Sequence, residues 1–308
     1  MITEYFSKEY LSAVIQAFFV TVLWSSSWVI IKFGLEEIPP LIFAGLRYLL
    51  GAVILLVIIF SNNNQRNLVA TQSKHWWVII VIYGILFIAI TQGGQFIALK
   101  LLPAITVSFI LNLTPYIVII LSIGLLKEVP SLLQVFFFLV AFLGILFYFY
   151  PIDLTLEFLG LLVGLILIFS NAFSSILGRS INKTKTTPPI VVTGVSMIIG
   201  SIILLASGIV IDGIQVLLSL SLLSVFYIIW LGVINTALAF TLWHNAMQKL
   251  RAMDMTIINS TMLPQIVILS IIFLGEFPIF KEWLGLFMIV VSTFLIQLSQ
   301  AKKNSNED

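Results

Sequence analysis

The sequence predicts an all-α membrane protein: ten transmembrane helices arranged as two inverted five-helix repeats. Three observations carry this. First, 60% of the 308 residues are hydrophobic and only 9% are charged, against about 25% charged in soluble domains. Second, the apolar residues fall into ten stretches of about 20 residues, the length that crosses a bilayer. Third, PPLIFAGLRYLLGAVILL at 39–56 returns as PPIVVTGVSMIIGSIILL at 188–205.

The stretches run, in order, over 11–33, 40–60, 76–99, 103–124, 131–150, 158–180, 188–209, 222–247, 253–274 and 282–299. Connections are short, and many carry proline: Pro39–Pro40, Pro103, Pro130, Pro151, Pro188–Pro189 and Pro278. Proline suits a helix start, where its missing N–H has no partner to lose. The N-terminus MITEYFSKEYLSAVIQ has acidic residues before its apolar run and no small-residue cleavage pattern, so it does not read as a signal peptide. There are no cysteines, which removes disulfides, thiolate metal sites and cysteine nucleophiles. A net charge of +2 offers no electrostatic case for nucleic acid.

Lysine and arginine set orientation. With the N-terminus cytoplasmic, the inner loops hold Lys8, Arg66, Lys74, Lys127, Arg179, Lys183, Lys185, Lys249, Arg251, Lys302 and Lys303. The outer ones hold Lys32, Arg47, Lys100 and Lys281. The bias places both termini in the cytoplasm, in a cell membrane. Trp76, Trp77, Trp230 and Trp283 fall near span ends, where amphipathic rings anchor.

The echo is wider than one helix. Both copies start with a proline pair and place glycine at matching positions, Gly45 with Gly194 and Gly51 with Gly200. WSSSWVIIK at 24–32 aligns with NAFSSILGR at 171–179. The fourth and ninth stretches carry Pro115 and Pro264, and are followed by LKEVP at 126–130 and LGEFP at 274–278. Residues 1–150 and 151–308 therefore read as two five-helix units. Five is odd, so the second unit enters the membrane inverted. Such repeats build alternating-access carriers, with substrate near the midplane between them.

These motifs together resemble the EamA-type branch of the drug/metabolite transporter superfamily. They are a WxxxWxxxK-like first helix, PPxxxxxxR opening the second, prolines within the fourth and ninth, and the Glu-x-Pro phrases. The resemblance covers nearly the whole chain. It implies a carrier of small organic solutes with a cavity lined by helices one, three, four, six, eight and nine.

Polar side chains within spans are costly against lipid and should face protein or a watery path. Candidate substrate-binding residues on those helices are Trp24, Trp28, Gln92, Gln95, Asn112, Asn171, Ser175, Trp243, His244 and Ser260. Trp24 and Trp28 lie four apart and so share one helix face. Rings, amides and hydroxyls suit a neutral or zwitterionic molecule. Small polar residues also hold membrane helices together, which is the plainer explanation for any single serine or threonine.

No aspartate or glutamate sits near the middle of a span. That argues against carboxylate-based ion coupling and against a cationic drug as substrate. His244 is the titratable candidate within a span, with an ordinary pKa suited to proton coupling. Arg47 lies about two turns into the second helix where the echo has Ser196. Pairing with Glu36 or Glu37 would make it a gate latch; its fork could instead meet a substrate carboxylate. Glu128 and Glu276 are further gating candidates, as helix caps or latches.

The expected function is therefore a secondary carrier that exports an amino acid or similar zwitterion, with no cofactor and no metal. Its partners are the solute and the bilayer; the sequence sets no oligomeric state, and a monomer is compatible with it. A sugar-, nucleotide- or phosphate-bearing solute would want several cavity cations. An intramembrane enzyme would need an acid dyad, an HExxH or a Ser–His or Ser–Lys pair, and none is visible. A receptor or scaffold would need larger loops.

Overall fold

Ten long helices form a single bundle. The computed structural model describes residues 8–125, 131–150, 158–183 and 186–307. The membrane-length helices are α1 (Lys8–Gly34), α2 (Pro40–Ser61), α3 (Lys74–Leu101), α4 (Ala104–Leu121), α5 (Leu132–Phe149), α6 (Phe158–Asn182), α7 (Pro189–Asp212), α8 (Leu222–Met247), α9 (Asp254–Leu274) and α10 (Phe280–Gln297). Each begins and ends within a few residues of its sequence-based expectation. A short amphipathic helix, Asn63–Ala70, follows α2 and is capped by Asn62 Oδ1 accepting from the Asn64 and Gln65 amides.

The two echoing segments pack directly on each other: α2 and α7 make the closest helix pair in the molecule. Gly45 faces Leu205, Gly194 faces Ile59 and Leu55, and Gly208 faces Ile42. Early residues of one helix meet late residues of the other, so the pair is antiparallel. Matched positions make matched contacts, as a two-fold axis between inverted repeats requires. Lipid tails give helices no hydrophobic reason to associate, so close approach at small residues supplies the contact. A Cβ on Gly45 would stand 2.8 Å from the Leu205 backbone. The second equivalent pair, α5 and α10, is likewise antiparallel, with Gly144 and Gly285 each against the other's carbonyl.

The remaining helices exchange between repeats. The first helix packs on α8 and α9, and its counterpart α6 packs on α3 and α4. Sequence halves are thus not spatial halves.

Four helices are interrupted at equivalent places. α4 breaks at Asn112–Leu113 and α9 at Thr261, each just before its proline. Pro115 has no N–H for the Leu111 carbonyl, and the Thr114 hydroxyl donates to that carbonyl at 2.6 Å instead. α3 and α8 contain wide π-helical segments, Ile85–Gln92 and Trp230–Leu238. In each, a threonine hydroxyl donates to the carbonyl five residues back: Thr91 to Leu86 and Thr236 to Leu231, both at 2.8 Å. The sequence pattern gave no sign of these segments.

Candidate functional site

The two ends of the bundle differ. One continuous core draws on all ten helices and takes in the starts of α2 and α4, at the end opposite the termini. The first seven residues of α4, Ala104–Ile110, are all buried. Polar bonds lace the helices together there. Lys32 Nζ donates to the Leu102 carbonyl at 2.7 Å, and Lys100 Nζ to the Leu35 carbonyl. The left-handed turn at Gly275 (φ 67°) ends α9 and is followed by Glu276, whose carboxylate reaches the start of α4. It accepts from the Ala104 and Ile105 amides at 2.8 and 3.0 Å. A carboxylate at a helix N-terminus is favoured by unpaired N–H groups and by the helix dipole. Glu37 accepts from the Ser221 and Ser224 hydroxyls at 2.6 and 2.7 Å, tying the α1–α2 loop to α8. Those donors hold its carboxyl below the usual carboxylate range.

At the terminal end the core divides into separate clusters. One joins Ala13 and Ala17 to Ala246, Leu250, Met255 and Ile258. A second joins Ile59, Val69 and Ile80 to Val191, Val192 and Val195, and a small third joins Val20 and Leu23 to Ala239. The first described turns of α9, the counterpart of the sealed α4 start, bury only Met255 and Ile258 among residues 254–260. Asn259 and Ser260 are half-buried there, and Ser175 on α6 is exposed.

Three polar clusters emerge from the expected site residues. In the first, Trp24 of α1 lies against α8, with ring centroids 5.0 Å from Trp243 and 5.3 Å from Phe240. Phe240 continues to His244 at 6.2 Å. Trp28 does not stack with Trp24; it is buried in the main core. Four-residue spacing put both on one face, but the α8 rings compete better for Trp24. His244 bonds the Phe240 carbonyl through Nδ1 at 2.5 Å and meets Thr193 of α7 at 3.4 Å.

In the second, Asn171 of α6 donates to Thr114 Oγ1 of α4 at 3.0 Å, beside the proline break. Ser175 only donates back to the Asn171 carbonyl, and Asn112 only to that of Ser108. The matching break in α9 is bridged to α1: Gln265 accepts from Ser25 at 2.9 Å and donates to Thr21 at 3.1 Å. Its α1 partners lie more than 200 residues away in the chain, so local spacing carries no sign of them.

The third surrounds Arg47. The latch to Glu36 or Glu37 does not form: Glu37 is held by its serines and Glu36 is exposed. Arg47 is instead only 4% exposed. Its Nε donates to Thr236 Oγ1 in the α8 π segment at 3.1 Å. Its guanidinium carbon lies 4.9 Å from the Tyr48 ring centre and 5.9 Å from that of Phe96. Tyr48 donates to Gln92 Oε1 at 2.7 Å. Gln95 is buried on the same face of α3. Burial in the bundle outcompetes the loop acids because the α8 threonine and two aromatic faces receive the cation.

Glu128 lies outside the described residues. Among the described residues no cluster of histidines and acids has metal-binding geometry. A cavity of about 480 Å³ between the Asn63–Ala70 helix and Thr186–Pro189 contains none of these site residues.

Ten membrane-length helices in two inverted five-helix repeats, with matching breaks in α4 and α9, define a polytopic membrane protein. The chain belongs to the EamA-like transporter family, whose model matches residues 11–150 and again 158–298. A curated relative, described as the uncharacterized transporter YoaV of Bacillus subtilis (strain 168), is 53% identical over 34 residues. That match spans 11% of this chain and 12% of that protein. A crystal structure superposes with a TM-score of 0.65 at 17% identity, covering 94% of this chain and 98% of the other. At that identity the likeness speaks for the fold.

Proposed function

We propose that the protein is an alternating-access carrier that exports an amino acid or similar zwitterion across the cell membrane, with both termini cytoplasmic. The observation that carries this reading is the unequal burial of two equivalent half-helices. The start of α4 is sealed at the end away from the termini, while the start of α9 is only partly covered. Two gates of one design in opposite states are what an inverted repeat supplies to a carrier. On this reading the α4 side is the closed outer gate and the α9 side the looser cytoplasmic one. Units 1–150 and 151–308 act as the repeats, with α1 and α6 exchanged between them.

The solute class follows from the clusters. Trp24, Trp243 and Phe240 offer aromatic faces; Gln92, Asn171 and Gln265 offer amides. Lys32 and Lys100 are engaged with backbone carbonyls, which leaves little positive charge for a phosphate or nucleotide.

The test is efflux from proteoliposomes loaded with the twenty amino acids, followed by mass spectrometry with and without a pH gradient. Selective, protein-dependent loss of a few amino acids supports the reading. Retention of all of them defeats it.

A further inference from the structure

Among the described residues, Arg47 has no counter-charge. A guanidinium stays protonated under any ordinary condition, and a buried ion is costly unless it is paired. Its Nε is used by Thr236 and its faces by Tyr48 and Phe96. Nη1 and Nη2 donate to no described residue, and neither is among the polar atoms sealed without a partner. The free edge of the guanidinium is therefore the two-pronged one that fits a carboxylate.

We infer that Arg47 anchors a carboxylate group of the transported solute. This rests on the reading of the chain as a carrier of small organic solutes, and it replaces the role of gate latch. Three features of the surroundings support it. Tyr48 donates to the Gln92 amide oxygen, which leaves the Gln92 NH₂ as a neutral donor on the adjoining helix α3. Thr236 has its own proton directed at Leu231, so its oxygen lone pairs orient the Arg47 Nε and the fork with it. The second repeat has Ser196 at the matching position, which turns back on the Thr193 carbonyl at 3.1 Å. The charge occurs once per molecule, at the junction of α2, α3 and α8. One monovalent cation with neutral donors beside it suits a single carboxylate better than a doubly charged phosphate.

The experiment measures melting of the purified full-length protein in detergent against a panel of probes. The panel holds the twenty amino acids, their carboxamides, and the simple acids lactate and benzoate. At least one amino acid is expected to raise the melting temperature. Its carboxamide should bind roughly tenfold to a hundredfold more weakly, the value of a charged hydrogen-bonded contact. Arg47→Lys, which keeps the charge and loses the fork, should weaken the acid and leave the amide unchanged. Equal binding of acid and amide by the unmodified protein overturns the role of Arg47 and leaves the carrier reading intact. Binding of lactate or benzoate without any amino acid keeps Arg47 and overturns the zwitterion. Silence across the panel overturns both. The acid–amide comparison needs no variant, so a misfolded Arg47→Lys does not blunt it.

Discussion

Gly45 of α2 lies so close to Leu205 of α7 that a Cβ would stand 2.8 Å from the Leu205 Cα and backbone nitrogen. Its counterpart Gly194 is equally crowded, but there a Cβ would meet the end of the Ile59 side chain, at 2.6 Å. Backbone cannot yield, whereas a terminal methyl can rotate away. Gly45→Ala should therefore destabilise by about 1–3 kcal/mol, the range for an overpacked core. Gly194→Ala should cost less than about 1 kcal/mol, as a substitution the neighbour can absorb. Melting in detergent, with both variants side by side, checks the order. Equal losses would mean that the antiparallel α2–α7 contact is not the rigid element argued for.

Glu276 holds the start of α4 with two amide hydrogen bonds. Glu276→Gln removes the charge and one acceptor, a loss of about 1 kcal/mol or more at a helix N-terminus. It should loosen the sealed end. The chain contains no cysteine, so single cysteines report directly on access. Ser108→Cys should resist an impermeant maleimide added outside cells and become reactive when Glu276→Gln is added. Ser175→Cys should react only from the cytoplasmic side. Labelling of Ser175→Cys from outside would reverse the orientation.

The Glu37 carboxyl is held low by two serine hydroxyls. A depressed folded pKa means that its contribution is full above the ordinary carboxylate pKa. That contribution is lost as pH falls through the folded value. Acidification should therefore detach the α1–α2 loop from the start of α8. Replacing both Ser221 and Ser224 with alanine should move the Glu37 titration up toward the ordinary range, and a carbon-13 NMR titration of labelled glutamate would show the shift.

Trp24 is the ring on which α1 meets Trp243 and Phe240. Trp24→Ala removes pair contacts of about 0.5–1.5 kcal/mol each. Efflux should fall by roughly tenfold at unchanged expression, with Trp24→Phe intermediate. Asn171→Ala should lower efflux through loss of the Thr114 bond beside the α4 break. Normal efflux from both Trp24→Ala and Asn171→Ala would place the solute elsewhere.

Much of the fold was legible in the order of residues, and some of the site was not. Lipid tolerates only long apolar helices, so span number and boundaries could be counted directly. An odd number of helices per repeat dictates inversion, and the matching prolines mark where the structure breaks α4 and α9. Side-chain partners were harder. The Arg47 latch was drawn to Glu36 and Glu37 because they are near in sequence; its hydrogen-bond partner, Thr236, lies 189 residues away. Trp24 was paired with Trp28 by helical spacing, yet its neighbours come from α8. Glu276 reads from the sequence as a helix cap or latch, but its two amide partners sit about 170 residues earlier.

The sequence by itself determined the solvent, the ten spans, the inverted repeat and the arginine that only one copy of the repeat carries, because each follows from local composition or internal comparison. Only the tertiary structure decided which end is sealed, where α3 and α8 widen into π segments, and that Arg47 faces rings and a threonine in place of an acid. These depend on helices crossing at particular registers, and that register is set by close contacts such as Gly45 on Leu205, which join segments far apart in the chain.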